Sequence, residues 1–275
     1  MIEFFSYSFL VRAFIVGTLV SLCAAFVGSS LVLRRFSMIG DGLSHVGFGA
    51  LAIATVLGLS PMVITVPVVV VSAILLLKIS DKSNIGSDSA IALISSSALA
   101  IGVFSISVVK GVNTDINNFL FGSILSVSKG DAIFSVLLSL AVLVVYIFLY
   151  HRIFAITFDS NFAQATGVKV NRYTALIAIL TSLVIVLGMR ILGSLLISAL
   201  LIFPTLSAMQ CFKTYKKVTI ASAVISVIAF WIGLFLSYSL SSPTGATIVI
   251  VHLCVFLLTC LIKVFKGRLS YERTR

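Results

Sequence analysis

Charge is scarce in this sequence. Of 275 residues only 10% are Asp, Glu, Lys or Arg, and just eight of these are carboxylates, against 19 cations. Soluble domains carry about a quarter charged residues, so this chain cannot build a water-facing shell, and the soluble-enzyme classes are excluded. The formal net charge of +11 does not point to nucleic acid, because the cations are scattered over short loops rather than gathered on one face. Proline is rare at four residues, and cysteine equally so. Cys23, Cys211, Cys254 and Cys260 lie within or at the ends of apolar stretches and have no C-x-x-C spacing, which excludes a redox pair and suits small core residues. No Gly-Lys dipeptide occurs, so a phosphate-binding loop is absent, and any ATP that drives this protein must be hydrolysed by another polypeptide.

What fills the chain instead is apolar sequence, 60% of it. Crossing a hydrocarbon core about 30 Å thick takes roughly 20 mostly apolar residues. Runs free of charge extend over Ala13–Leu33, Gly42–Leu77, Ser89–Val109, Ala132–His151, Tyr173–Met189, Ile191–Phe212 and Val218–Ile262. The second and last are too long for one crossing and are broken by turn signals at Gly58-Leu-Ser-Pro61 and Ser241-Ser-Pro-Thr-Gly245. The expected fold is therefore all-α, a polytopic transmembrane helical bundle of about nine spans, within a range of eight to ten. One membrane domain covers residues 1–275, and the first apolar run is expected to be a retained helix, since no small-residue cleavage site follows it.

Cations fix the orientation, because Lys and Arg accumulate in cytoplasmic loops. With the N-terminus outside and the C-terminus cytoplasmic, only Arg12, Lys110, Lys129 and Arg190 of the 19 fall on the outer side. Three segments lie outside the spans: an outer segment at about 111–130, expected to hold a short helix; a cytoplasmic segment at about 152–172; and a basic cytoplasmic tail at about 263–275. In the cytoplasmic segment, Asp159 and Ser160 are helix N-caps and Gly167 is a C-cap, so a short helix is expected between them.

Seven of the eight carboxylates fall in loops, tails or span boundaries, and Asp41 alone falls inside a span. An ionisable group there costs about 2.5 to 3.5 kcal/mol on insertion scales, so it is expected to face a cavity or a partner. His45 follows four residues later, on the same helical face one turn away, where a carboxylate and an imidazole converge on one point. That is half of a site for a borderline divalent cation such as zinc or manganese. The plainer alternatives are a simple Asp41–His45 pair, or an Asp41 that caps its span near Arg34 and Arg35. His252, alone in Ile250-Val-His-Leu-Cys254, suits helix packing better than ligation. Pro204 marks a helix kink, with Thr205 and Ser207 placed to re-satisfy the freed carbonyls or, less favoured, to line a path.

The stretch Arg34-Arg-Phe-Ser-Met-Ile-Gly-Asp-Gly-Leu-Ser-His45 resembles the signature of the zinc and manganese ABC-type permeases, in which paired basic residues precede Gly-Asp-x-Leu-[SA]-His. Asn118-Phe-Leu-Phe-Gly-Ser-Ile-Leu125, Phe158-Asp-Ser-Asn-Phe-Ala-Gln-Ala-Thr-Gly167 and Gly193-to-Ala208 follow in the family's order. One departure is Gly42, where a larger residue is common. The resemblance implies a multi-pass protein of the bacterial inner or plasma membrane and a transport subunit rather than an enzyme. It would work as a homodimer, with a cytosolic ATP-binding subunit and an extracytoplasmic metal-binding protein as partners and no nucleic acid. It implies Asp41 and His45 as the metal-contacting pair, and Asp159, Ala163 and Gly167 as part of the helix that docks into the ATPase. No permanently bound cofactor is implied. The cargo is a divalent transition metal, zinc first, with manganese or iron as alternatives. Two other classes compete: a haem-anchoring membrane subunit using His45 and His252, and an ion-coupled secondary transporter relaying protons through Asp41.

Overall fold

The computed structural model describes residues 8–82, 87–108 and 129–272, which form eleven helices and no strand. In chain order these are α1 (Ser8–Leu33), α2 (Ile39–Val56), α3 (Pro61–Lys82), α4 (Ser87–Val108), α5 (Lys129–Phe148), α6 (Tyr150–Phe158), α7 (Ser160–Ala165), α8 (Val170–Leu192), α9 (Ser194–Cys211), α10 (Tyr215–Leu240) and α11 (Thr244–Glu272). The nine long helices match the nine apolar stretches one for one. Eight are long and apolar enough to cross a membrane, whereas the apolar part of α3 is the shorter Pro61–Leu77, about 25 Å of helix at 1.5 Å per residue. The outer segment expected at about 111–130 falls almost wholly outside the described residues.

The apolar part of α11 ends at Phe265, and the basic tail continues the same helix to Glu272. Between α8 and α9 the connection shrinks to one residue, Gly193, at φ 93° and ψ 156°. Only glycine enters that region without strain, so one helix follows the other at Gly193, three residues after Arg190, with no loop at all.

The bundle is two groups of helices bridged by α8 and α9. In one group α2 packs against α3 and α4; in the other α1 packs against α5 and α10; α9 touches α1, α2, α10 and α11. Lipid supplies no hydrophobic drive between helices, so close backbone approach must. At the α2–α4 seam a Cβ on Gly49 would lie 2.5 Å from the Ala98 carbonyl oxygen, and one on Gly102 would lie 2.9 Å from the Gly49 Cα. The departure at Gly42 has the same cause: a Cβ there would meet Ile91 Cγ2 at 2.6 Å. Leu201, near the middle of the 18-residue α9, is wedged between α1 and α2. Its carbonyl oxygen is the first atom that a Cβ built on Gly28 would strike, and its Cδ1 lies 2.8 Å from one built on Gly40.

At the end of the bundle where α1 finishes and α10 begins, three buried hydroxyls close a triangle. Ser30 Oγ and Tyr146 Oη are 2.9 Å apart, Ser30 Oγ and Tyr215 Oη 3.1 Å, and the two tyrosine oxygens 2.9 Å. The ring of Tyr215 is surrounded by Tyr150, Phe154 and Phe158 of α6, with centroids 5.4, 5.1 and 5.8 Å away. Three long helices and the α6–α7 elbow are thus tied at one point. The exposed cations Arg152, Lys169, Arg172, Lys213, Lys216, Lys217 and Lys263 also belong to this end.

The cysteine expectation holds only in part. Cys23 is buried and donates to the Ser139 carbonyl at 3.3 Å, while Cys211 and Cys254 are exposed on the flank of the single chain.

Candidate metal site and coupling helix

Asp41 and His45 sit in the first two turns of α2, a helix otherwise almost entirely buried. Met38 precedes it without a side-chain cap, so Asp41 is not the cap; it is a first-turn acid, where the positive end of the helix favours a carboxylate. Ser44 fixes this turn. Its hydroxyl donates to the Asp41 carbonyl at 2.7 Å and lies 3.4 Å from Ser198 Oγ on α9. The two candidate ligands are less enclosed than their neighbours, the His45 side chain being 24% exposed and that of Asp41 44%.

His45 Nε2 lies 3.7 Å from Asp41 Oδ2. This exceeds hydrogen-bond length, so the pair is not closed upon itself. One ion with ligand bonds of about 2.0 to 2.2 Å spans that gap. The other ring nitrogen, Nδ1, is buried without a hydrogen-bond partner among the described residues, whereas metal-bound histidines usually anchor it. No group of three or more His, Cys, Asp or Glu comes together among the described residues. One chain therefore brings two candidate ligands together on one helix, with no third beside them among the described residues.

His252 is not brought to this pair. It lies buried on α11, which packs on α9 and α10, with Nδ1 at 2.9 Å from the Ile248 carbonyl one turn earlier. Pro204 is buried within α9, which passes through it as one element, leaving the Leu200 carbonyl without its helical donor. Thr205 and Ser207 do not repair this: both hydroxyls are buried and without a partner among the described residues. With Ser194 they put three unpaired hydroxyls on α9, the helix that also touches α2.

The α6–α7 elbow forms as the local sequence dictates. Asp159 takes extended backbone and its Oδ1 accepts from the Phe162 N–H at 2.9 Å, the standard N-cap bond. Gly167 closes the helix at φ 85°, with its N–H on the Gln164 carbonyl and that of Val168 on the Ala163 carbonyl, both at 3.0 Å. Ser160 is the first helical residue rather than a cap. Ala163 faces inward at 1% exposure, while its neighbour Phe162 stands 67% exposed. Sequence reasoning singled out Ala163 and passed over Phe162. The signal it missed was an aromatic side chain set among the polar residues Ser160, Asn161 and Gln164.

The family model described as the ABC 3 transport family matches residues 6–263. The chain belongs to that family. It is 34% identical over 253 residues to the manganese import system permease protein ScaB of Streptococcus gordonii, covering 92% of this chain and 91% of that protein. It is 27% identical over 253 residues to the high-affinity zinc uptake system membrane protein ZnuB of Haemophilus influenzae, covering 92% and 97%. Among solved structures, PsaBC from Streptococcus pneumoniae in complex with Fab superimposes with a TM-score of 0.83 at 33% identity, covering 94% of this chain and 95% of that one. The ABC 3 chain is thus a metal-uptake permease subunit and not an enzyme, with ATP hydrolysis in a separate subunit, and a multi-pass protein of the bacterial inner membrane. Membership in this family decides among the transport, haem-anchoring and ion-coupled readings in favour of the first.

Proposed function

We propose that this subunit carries a divalent first-row metal ion past Asp41 and His45, driven by ATP hydrolysed in a subunit seated on the α6–α7 elbow. The observation that carries the reading is the 3.7 Å gap between Nε2 and Oδ2 at a half-open place near the start of a mostly buried helix. Two ligands suit cargo better than a resident ion, because a transported ion must be released as readily as it is captured. A second copy of the chain would supply the missing ligands and cover the open side of the pair. An extracytoplasmic binding protein would deliver the metal to the end carrying the N-terminus, with the basic end in the cytoplasm.

Zinc is the first cargo on ligand grounds, since a site of one imidazole and one carboxylate binds zinc more tightly than manganese in the usual affinity order. Manganese is the second reading, favoured by the name of the S. gordonii relative. Uptake of radioactive zinc and manganese by cells expressing the full transporter tests both. Asp41→Asn and His45→Ala are each expected to abolish uptake while the permease still co-purifies with its ATPase; undiminished uptake in both variants removes the site. Whichever unlabelled metal competes at the lower concentration identifies the cargo.

A further inference from the structure

Where α5 gives way to α6 and the chain re-enters the bundle at α8, an open cavity of about 490 Å3 is bordered by Arg152, Lys169 and Arg172 over Leu149, Val168 and Leu176. This volume lies within the range of small-molecule sites, about 300 to 1,000 Å3. The three cations are exposed, and none is in an ion pair among the described residues. Asp159, the carboxylate close by in sequence, is occupied in capping α7. Lys169 is the residue that precedes α8 and Arg172 lies in its first turn, and both line the cavity. The N-terminus of this 23-residue helix has no side-chain cap and adds its own partial positive charge.

The apolar surroundings decide what kind of anion fits. Leu149 continues directly from Val144, Ile147 and Phe148 of α5, which are 64%, 61% and 85% exposed. A strip of bare hydrocarbon therefore runs along α5 and ends at three unpaired cations. An acidic protein surface would match the cations and leave the strip uncovered. A molecule with a phosphate head and an acyl body matches both. We propose that this cavity holds the headgroup of an anionic phospholipid, with its chains lying along α5. Phosphate is seated by Arg152, Lys169 and Arg172 beside the ring of Tyr173, which also lines the cavity. Basic pockets between membrane helices at the cytoplasmic side bind such lipids. The lipid would brace the elbow from behind, since Gly167 and Val168, the residues that close α7, form part of the wall. This site is independent of the metal pair and of the cargo.

The test uses the full permease with its ATPase, delipidated in detergent and titrated with phosphatidylglycerol or phosphatidylcholine, with bound lipid counted by native mass spectrometry. Phosphatidylglycerol is expected to be retained preferentially. Each neutralised cation should weaken retention about fivefold, so R152Q/R172Q should lose about 25-fold, while K216Q/K217Q, at exposed lysines away from the cavity, should bind as the parent does. Equal retention by all three proteins overturns the site. So does displacement of the lipid by the ATPase subunit, which would make the cavity a subunit contact. Glycerol 3-phosphate serves as the head-only probe: failure to compete supports a lipid, and competition at equal concentration overturns it in favour of a soluble phosphate. Metal uptake is not the readout, so failure here leaves the pathway assignment standing.

Discussion

Replacing Tyr215 by phenylalanine separates the two things that side chain does. The ring keeps its contacts with Tyr150, Phe154 and Phe158, while the hydroxyl leaves the triangle with Ser30 and Tyr146. Each hydroxyl has one proton and accepting lone pairs, so the three bonds can run in one sense around the ring, each group giving one and taking one. Removing the Tyr215 oxygen deletes two bonds and leaves the 2.9 Å contact between Ser30 and Tyr146. At about 1 kcal/mol net per bond, Tyr215→Phe should cost about 2 kcal/mol, and Tyr146→Phe about the same. The double variant loses all three bonds, not four, so it should cost about 3 kcal/mol, a coupling of about 1 kcal/mol. Reversible unfolding in mixed micelles measures each value. A Tyr215→Phe cost below about 0.5 kcal/mol, or strict additivity in the double variant, would refute the cyclic arrangement. Tyr215→Leu should lose more than Tyr215→Phe, because aromatic pairs add about 0.5 to 1.5 kcal/mol each.

The remaining predictions concern seams and surfaces. Gly42→Ala forces a methyl group against Ile91 and should cost about 1 to 3 kcal/mol by overpacking, with lowered metal uptake; added to Ile91→Ala it should cost nothing further, and an equal penalty in that background counts against the contact. Phe162→Ala should leave the unfolding midpoint unchanged but sharply reduce the ATPase that co-purifies, because this ring is exposed. Ala163→Asp, by contrast, buries an unpaired charge and should cost about 3 kcal/mol, so a loss of ATPase there would follow from a damaged elbow; a stable Ala163→Asp protein would contradict the inward placement. Gly193→Ala should destabilise through its positive φ by about 1 kcal/mol or more, read in the same unfolding assay.

What could be read from the sequence was what depends on near neighbours in the chain. Uncharged runs fixed the helices, the i, i+4 spacing brought Asp41 to His45, and the caps at Asp159 and Gly167 formed from residues three to five apart. The hydroxyl triangle was hidden because its members are separated by 69 to 185 residues, and helical periodicity does not reveal which face of one helix meets which face of another. The same limit explains the error over Thr205 and Ser207: serine and threonine usually bond back to their own helix, as Thr181 does to Ile177 at 2.7 Å, and these two do not. Exposure within the α6–α7 elbow was likewise set by how it leans on the bundle, not by its own six-residue helix.

Leu201 gives the bundle a spacer. Helices α1 and α2 hardly touch one another, and at Leu201 the backbone of α9 rests on Gly28 of the first while the leucine side chain rests on Gly40 of the second. A push delivered at the elbow and received by α1 travels to the helix of the ligand pair through α8 and α9, and on α9 that side chain is one of the contacts that pass it on. Its width is thus a gauge: trimming it to alanine would introduce slack, and ATP could then be consumed without the ion being moved.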